Sequence, residues 1–389
     1  MKTGLSYVLV TPYTIAKSRT GGILSRLLSR TDLDLVGARM FTADEAFARK
    51  YAETLRKRSP KDQLALLADY VEQNFVPSGK QAHLTLLLLF QGNNPCEQLL
   101  RICGHVNTRQ LEVGEMSGET IRDTYADLIF SFEKPGEVRY FEPAVLTARS
   151  QEEADEDLRM MADFLEGREN VVRNIPPPNP SDTERTLVIL KPDNWTYHSS
   201  RPGAIIDMFS RTGLRIVGVK IHRFSLAQAL DFYGPVETVL KEKLAPRFGK
   251  RAKEFLEKEF RITLGEETSK TISETFGVDC AVNEFGHIVE FMSGRRPGEH
   301  SKDDLEKPGN VKCMILIYEG ENAVAKIRDT LGPTNPAEAP DGTVRREFGS
   351  SVMVNTAHAS DSMESFLREK DIVKIEENTL GAIIREYLG

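Results

Sequence analysis

The sequence predicts an α+β protein built from two related domains, each an antiparallel sheet with its helices against one face, the second carrying a helical insertion. Three observations carry this. The chain repeats itself once over a long period, strand-like and helix-like segments alternate inside each copy, and a proline-rich segment separates the copies.

Ser6-Tyr-Val-Leu-Val-Thr11-Pro-Tyr matches Thr186-Leu-Val-Ile-Leu-Lys191-Pro-Asp, and both are short apolar runs rich in β-branched residues, as buried strands are. The segment from Gly22 to Gly37 matches that from Gly203 to Gly218. In the second copy Ala204, Ile205, Met208 and Phe209 recur at helical spacing, residues 214–221 alternate as a strand, and residues 227–233 follow as a helix. The run Leu86-Leu-Leu-Leu-Phe-Gln-Gly92 matches Met314-Ile-Leu-Ile-Tyr-Glu-Gly320, and Val324, Ile327 and Leu331 then mark one helical face. Between the copies, Asn174-Ile-Pro-Pro-Pro-Asn-Pro-Ser cannot continue a helix or a central strand, which predicts an exposed linker near residues 170–183. The offset between matching positions grows from 182 at Tyr51/Tyr233 to 228 at Gly92/Gly320, so the second copy holds about 46 further residues. They fall within about 236–310 and include a charged helical stretch, 240–260, and a polar loop, 294–309; a solvated helical hairpin, a lid and an assembly surface are the readings open to them. The domains expected are thus 1–169, a linker 170–183, and 184–389.

Composition narrows the class. A chain of 389 residues, 40% hydrophobic and 28% charged, is globular. A net charge of −7 argues against general nucleic-acid binding. No apolar run approaches bilayer length, and the four cysteines are scattered without CxxC spacing, so a soluble protein of a reducing cytoplasm is expected.

The chemistry-bearing residues gather in the second copy. His358 stands in Asn355-Thr-Ala-His358-Ala-Ser360-Asp361-Ser362, and Lys191, Arg328, Thr334, Arg345 and Asn355 lie beside Gly, Pro or strand ends, where a sheet can aim cations and neutral donors at phosphate. A lone histidine is more often structural, and His358, Asp361 and Glu364 could be drawn as a metal set, though they supply a single imidazole. A nucleophilic imidazole needs one nitrogen for attack and the other oriented by an acceptor; Glu369, eleven residues on, can return from the helix that residues 362–370 suggest.

These motifs together resemble the nucleoside diphosphate kinase family: Asn355 to Ser362 for its histidine block, Lys191-Pro192-Asp193 after the first strand, Gly332-Pro-Thr334-Asn-Pro-Ala337, and Gly342-Thr-Val-Arg345. The resemblance spans residues 184 to about 371, the insertion apart, and implies a ferredoxin-like βαββαβ core for each copy. It implies that His358 accepts the γ-phosphoryl group of a nucleoside triphosphate and passes it to a nucleoside diphosphate. It implies that Glu369 orients the imidazole, that Ser360 supports the pair, and that Lys191, Tyr233, Arg328, Thr334, Arg345 and Asn355 hold phosphates and ribose. Mg2+ would arrive on the nucleotide, with Asp361 near it and no ligand set of its own. The base-stacking aromatic falls in the expanded segment, where Phe276 and Phe285 are candidates. The first copy departs from the pattern: Thr11 replaces the lysine, residues 138–145 contain no histidine, Arg101 and Arg122 stand for Arg328 and Arg345, and His83 and His105 fall elsewhere, as structural or surface residues. It is expected to be an inactive copy. The partners expected are nucleoside di- and triphosphates and other copies of the chain, with no membrane; an internal pseudo-dimer of the two copies is the alternative to a homo-oligomer. A nucleotide-binding scaffold and a protein-histidine phosphocarrier remain the competing functions.

Overall fold

The runs that the repeat pairs with one another become the central strands of two sheets. The computed structural model describes residues 3–58, 63–78, 83–104, 118–130, 132–134, 138–177 and 179–389; His105 lies outside them. The first half contributes β1 (Gly4–Val10), β2 (Asp34–Phe41), β3 (Thr85–Gly92), a hairpin of β4 (Asp127–Phe130) and β5 (Val138–Glu142), and the short β6 (Val145–Leu146). The second half contributes β7 (Thr183–Leu190), β8 (Arg215–His222), β9 (Cys313–Glu321) and β10 (Ala357–Ala359). Two four-stranded antiparallel sheets result, in the orders β2-β3-β1-β6 and β10-β7-β9-β8. Both place the first strand of the half beside its last strand and its third, as a ferredoxin-like βαββαβ core does.

The chain divides into two compact units, one of residues 1–221, 314–370 and 374–389 and the other of residues 222–313 and 371–373. Both sheets belong to the first unit, except for the end residues His222 of β8 and Cys313 of β9. One face of the first sheet, Leu5, Tyr7, Leu9, Leu87 and Leu89, packs against Phe47, Tyr51, Leu158 and Ile384 from helices. The helices expected on one face are present, and the opposite face is covered as well: Val8, Val10, Leu88 and Phe90 are also fully buried. Apolar residues at nearly every position of these strands require this, since each fully buried Leu, Val or Phe contributes roughly 1.5–3 kcal/mol.

The halves meet where glycine allows. A Cβ on Gly21 of the helix Thr20–Arg30 would lie 2.5 Å from the carbonyl oxygen of Gly203 in the helix Arg201–Ser210, and one on Gly203 would overlap the carbonyl of Gly21. The two helices therefore cross backbone against backbone.

The proline-rich segment is less exposed than expected at its start. Asn170, Val171, Val172 and Ile175 are buried, Val171 bridges to Gly218, and Val172 N–H donates to Val217. Its prolines follow this anchored stretch, and a 3-10 turn, Pro180–Asp182, leads into β7.

The second unit is helical. Ser225 and Gln228 close a capping box on a single helix, Leu226–Phe260, which runs through Pro235 and Pro246 where two separate helical stretches were expected. A second arm, Glu266–Ile272, a π-helical turn Ser273–Gly277 and Val278–Ser293, packs back on it, with Gly277 against the Ala245 carbonyl. Interhelical packing replaces what proline removes from the backbone ladder. Among the described residues no helix is long and apolar enough to cross a membrane.

Candidate active site

β10 carries His358 on the edge of the second sheet, opposite Ile189 of β7. The residue that aims it is Thr356, fully buried with φ +72, a left-handed conformation costly for a β-branched residue. Its surroundings over-determine that conformation. The Thr356 carbonyl accepts from Lys191 N–H at 3.0 Å and from Asn194 Nδ2 at 2.7 Å. Its hydroxyl donates to Asn194 Oδ1 at 3.1 Å and accepts from Arg201, which also pairs with Asp193 at 2.7 Å. Asn194 and Arg201 were missed from sequence; the signal available was an asparagine two residues after Pro192 in a short turn.

Glu369 sits on the helix Met363–Ile372 with its side chain turned inward and buried. Its Oε1 lies 3.0 Å from His358 Nε2, and its Oε2 accepts from the fully buried Ser360 hydroxyl at 2.6 Å. Ser360 is fixed in turn, its N–H donating to Leu187. The carboxylate thus holds Nε2 and favours the tautomer in which that nitrogen carries the proton.

Lys191 directly follows β7 and is buried, its Nζ donating to Asn355 Oδ1 at 2.6 Å. Burial, then the neighbouring Arg345 charge, pull its pKa down from 10.5 to about 7, against an opposing pull from Asp193. Asn355 is buried as well, and its Nδ2 donates to Thr334 at 3.1 Å and Val352 at 2.8 Å. Lys191, Asn355 and the Thr334 backbone are thereby joined in one chain of contacts. Thr334 and Arg328 are exposed. Asp361 is exposed too; a hydrogen bond from Ser365 holds its carboxyl below the usual range, burial opposes this, and the Arg328 and His358 charges assist.

Arg345 is buried, with Nη1 donating to Gly332 at 2.9 Å and Nη2 to Ala357 at 3.1 Å. In the first half, Arg122 makes the same two bonds, to Gly104 and to Val145. In both halves this pair of bonds braces the edge strand.

The remaining expectations divide. Tyr233 lies in the second unit, buried with its ring centroid 5.0 Å from that of Phe232. Phe285 is 5% exposed and has no open ring face to offer a base, whereas Phe276 is 51% exposed. Among the described residues no three His, Cys, Asp or Glu side chains cluster as a metal site. Asp361, ionised and oriented by Ser365, fits a cation held mainly by phosphate oxygens.

The first sheet fills the matching positions differently. Leu146 opposes Leu9 as His358 opposes Ile189, so an aliphatic side chain stands where the imidazole does, one residue past the 138–145 segment. Thr11, at the lysine's position, is fully buried and bonded to Thr14. Arg101 does not match Arg328. Gly104 N–H donates to Leu100 as Gly332 N–H donates to Arg328, so Leu100 takes that place and Arg101 stands one residue further along its helix.

A family model described as nucleoside diphosphate kinase matches residues 302–378. A nucleoside diphosphate kinase of Methylorubrum populi is 34% identical over 182 residues, 47% of this chain and 86% of the relative. One from Methylobacterium radiotolerans is 32% identical over 197 residues, 49% of this chain and 97% of the relative. About half of the chain therefore has a counterpart across nearly the whole length of such enzymes.

Proposed function

The chain belongs to the nucleoside diphosphate kinase family, and on that premise we propose that its second half, residues 184–389, transfers the γ-phosphoryl group of a nucleoside triphosphate to a nucleoside diphosphate by way of His358. The contact between His358 Nε2 and Glu369 carries this reading, because a binding module has no need of an oriented imidazole backed by a buried carboxylate and serine.

In the first half-reaction His358 Nδ1 attacks the γ-phosphorus, an N–P bond forms, the P–O bond to the β-phosphate breaks and the diphosphate leaves. In the second, a terminal oxygen of another nucleoside diphosphate attacks the phosphohistidine phosphorus and the N–P bond breaks. Glu369 keeps the Nε2 proton in place throughout and stabilises the positive charge that builds on the ring. Lys191, with Arg328 and the Thr334–Asn355 loop, aligns the phosphates. Asp361 is the carboxylate that would be offered to Mg2+ carried in on the nucleotide, which would supply charge neutralisation at the phosphates.

The first half, residues 1–169, is on this reading a degenerate copy joined through residues 170–183. It packs through Gly21 and Gly203 as the internal partner of the second. The absence of an imidazole at Leu146 and of a lysine at Thr11 supports this.

Incubation with γ-labelled ATP and magnesium tests the reading. An acid-labile phosphoenzyme should form and be discharged by GDP or CDP. Labelling that survives His358→Ala excludes it, and label that no nucleoside diphosphate discharges favours a phosphocarrier.

A further inference from the structure

The turn that leads into the edge strand is built alike in the two halves, up to a point. Thr356 stands two residues before His358, and Ala144 two before Leu146. Both are left-handed, with φ +72 and φ +61. The carbonyl of each accepts from the residue that follows the first strand of its half, Lys191 N–H at 3.0 Å and Thr11 N–H at 3.1 Å. The bend and its backbone bond therefore belong to the fold, and they form without a lysine or a histidine nearby.

The side chains differ. In the second half Asn194, 2% exposed, lies between the two segments. Its Nδ2 donates to the Lys191 carbonyl at 3.0 Å and to the Thr356 carbonyl at 2.7 Å, while its Oδ1 accepts from the Thr356 hydroxyl at 3.1 Å. Asn194 and Thr356 thus exchange hydrogen bonds in both directions, and both N–H donors of the amide are engaged. The first half has no such bridge. Thr14, three residues after Thr11 as Asn194 is three after Lys191, accepts from the Thr11 hydroxyl at 3.0 Å, and Ala144 has no side-chain donor. A fold that closes this turn with threonine and alanine does not require the amide. What the amide adds is a side-chain tie just beyond the last paired residues, Leu190 of β7 and Ala357 of β10. On one side of that tie is Lys191, whose Nζ also donates to Asn355 Oδ1 at 2.6 Å, and on the other is the strand of His358. Transfer between a bound phosphate and a nitrogen depends steeply on such alignment.

We propose that Asn194 and Thr356 act together as a positioning pair for phosphoryl transfer, holding the Lys191 turn against the strand that carries His358. Neither reacts; each acts through Lys191 or His358. The proposal rests on His358 being the phosphoryl acceptor.

The test is a double-mutant cycle on the full chain, with Asn194→Ala, Thr356→Val and the two combined. It is read by single-turnover phosphorylation with ATP and magnesium and by nucleotide affinity, both per folded molecule. Asn194→Ala should slow phosphorylation roughly 100-fold, and Thr356→Val about tenfold. Nucleotide affinity should fall no more than about threefold in either. The double variant should be within about threefold of Asn194→Ala, because the two residues act through shared bonds. Fully additive losses overturn the pairing. Unchanged rates in variants that have lost only stability, or affinity that falls as far as the rate, overturn the positioning role. Should Asn194→Ala fail to fold, Thr356→Ser decides against Thr356→Val: the serine keeps the hydroxyl and should keep most of the rate, and equal rates refute the proposal. A wild-type chain that takes no label sinks the reading of His358 instead, and the pair is then judged by hydrogen exchange at the Lys191 backbone amide. That amide should exchange about tenfold faster in Thr356→Val than in wild type, and unchanged exchange refutes the pair.

Discussion

Asp157 holds in the first sheet the position that Glu369 holds in the second, and it is bound to an arginine where Glu369 is bound to an imidazole. Each carboxylate follows its edge-strand residue, Leu146 or His358, by eleven positions. Asp157 is fully buried, accepts from Tyr7 at 2.7 Å and takes a two-pronged contact from Arg58 at 2.8 and 2.9 Å. A buried acid at this point of the fold is thus compatible with two outcomes, a structural ion pair or an oriented imidazole.

Asp157→Ala should destabilise the chain by about 3–5 kcal/mol, the cost of stranding a largely buried arginine, while leaving phosphoenzyme formation per folded molecule unchanged. Denaturant melts and labelling of the same preparation check both parts. A large loss of labelling without loss of stability would show that the first half takes part in the chemistry.

Glu369→Gln removes the charge and keeps the shape. Phosphorylation of His358 should slow roughly 100-fold with nucleotide affinity little changed, because Glu369 acts on the ring and not on the phosphates. Ser360→Ala deletes one hydrogen bond to that carboxylate, worth about 1.5 kcal/mol, or roughly tenfold in rate. Single-turnover kinetics separate these effects from binding.

Lys191 has its pKa lowered on folding, so between about 7 and 10.5 the unfolded chain binds the extra proton. Stability should therefore rise with pH across that window, and the burial penalty should be felt in full below it. Lys191→Met should remove this component, seen as the difference between the two stability–pH curves. Phosphate favours the protonated lysine, so nucleotide binding near pH 8 should take up protons. Calorimetry in buffers of different ionisation enthalpy measures that uptake; none in wild type, or the same uptake in Lys191→Met, would refute it.

Gly203→Ala forces a methyl group onto the Gly21 carbonyl. Backbone separation of the two helices should cost about 1–3 kcal/mol, visible as a lower melting temperature, without changing the pH dependence of labelling. An unchanged melting temperature would mean that this crossing contributes little to stability.

Much of this was legible in sequence, for identifiable reasons. Leu9 and Ile189, matched by the repeat, occupy the same register in their sheets, because alternating burial leaves a strand little freedom to slip. Glu369 comes within reach of His358 because a helix beginning just past Ser362 returns a side chain seven residues on to the same face. Arg101 was mismatched because two adjacent helical positions differ by about 100° in direction and only the Gly104 and Gly332 bonds fix which is which. The continuous helix Leu226–Phe260 was hidden by Pro235 and Pro246, whose local preference its packing overrides. Thr356 could not be foreseen at all: nothing in the residue type announces φ +72, which is set by Asn194, Arg201 and Lys191 closing around it.

The central claim is one phosphoryl acceptor per chain, at His358. Intact-chain mass spectrometry after a brief exposure to ATP and magnesium, under alkaline quench, measures it directly. A single added phosphoryl group is expected, one that fragmentation places on His358 and that GDP removes. Two groups per chain, or a group on any other residue, would contradict it.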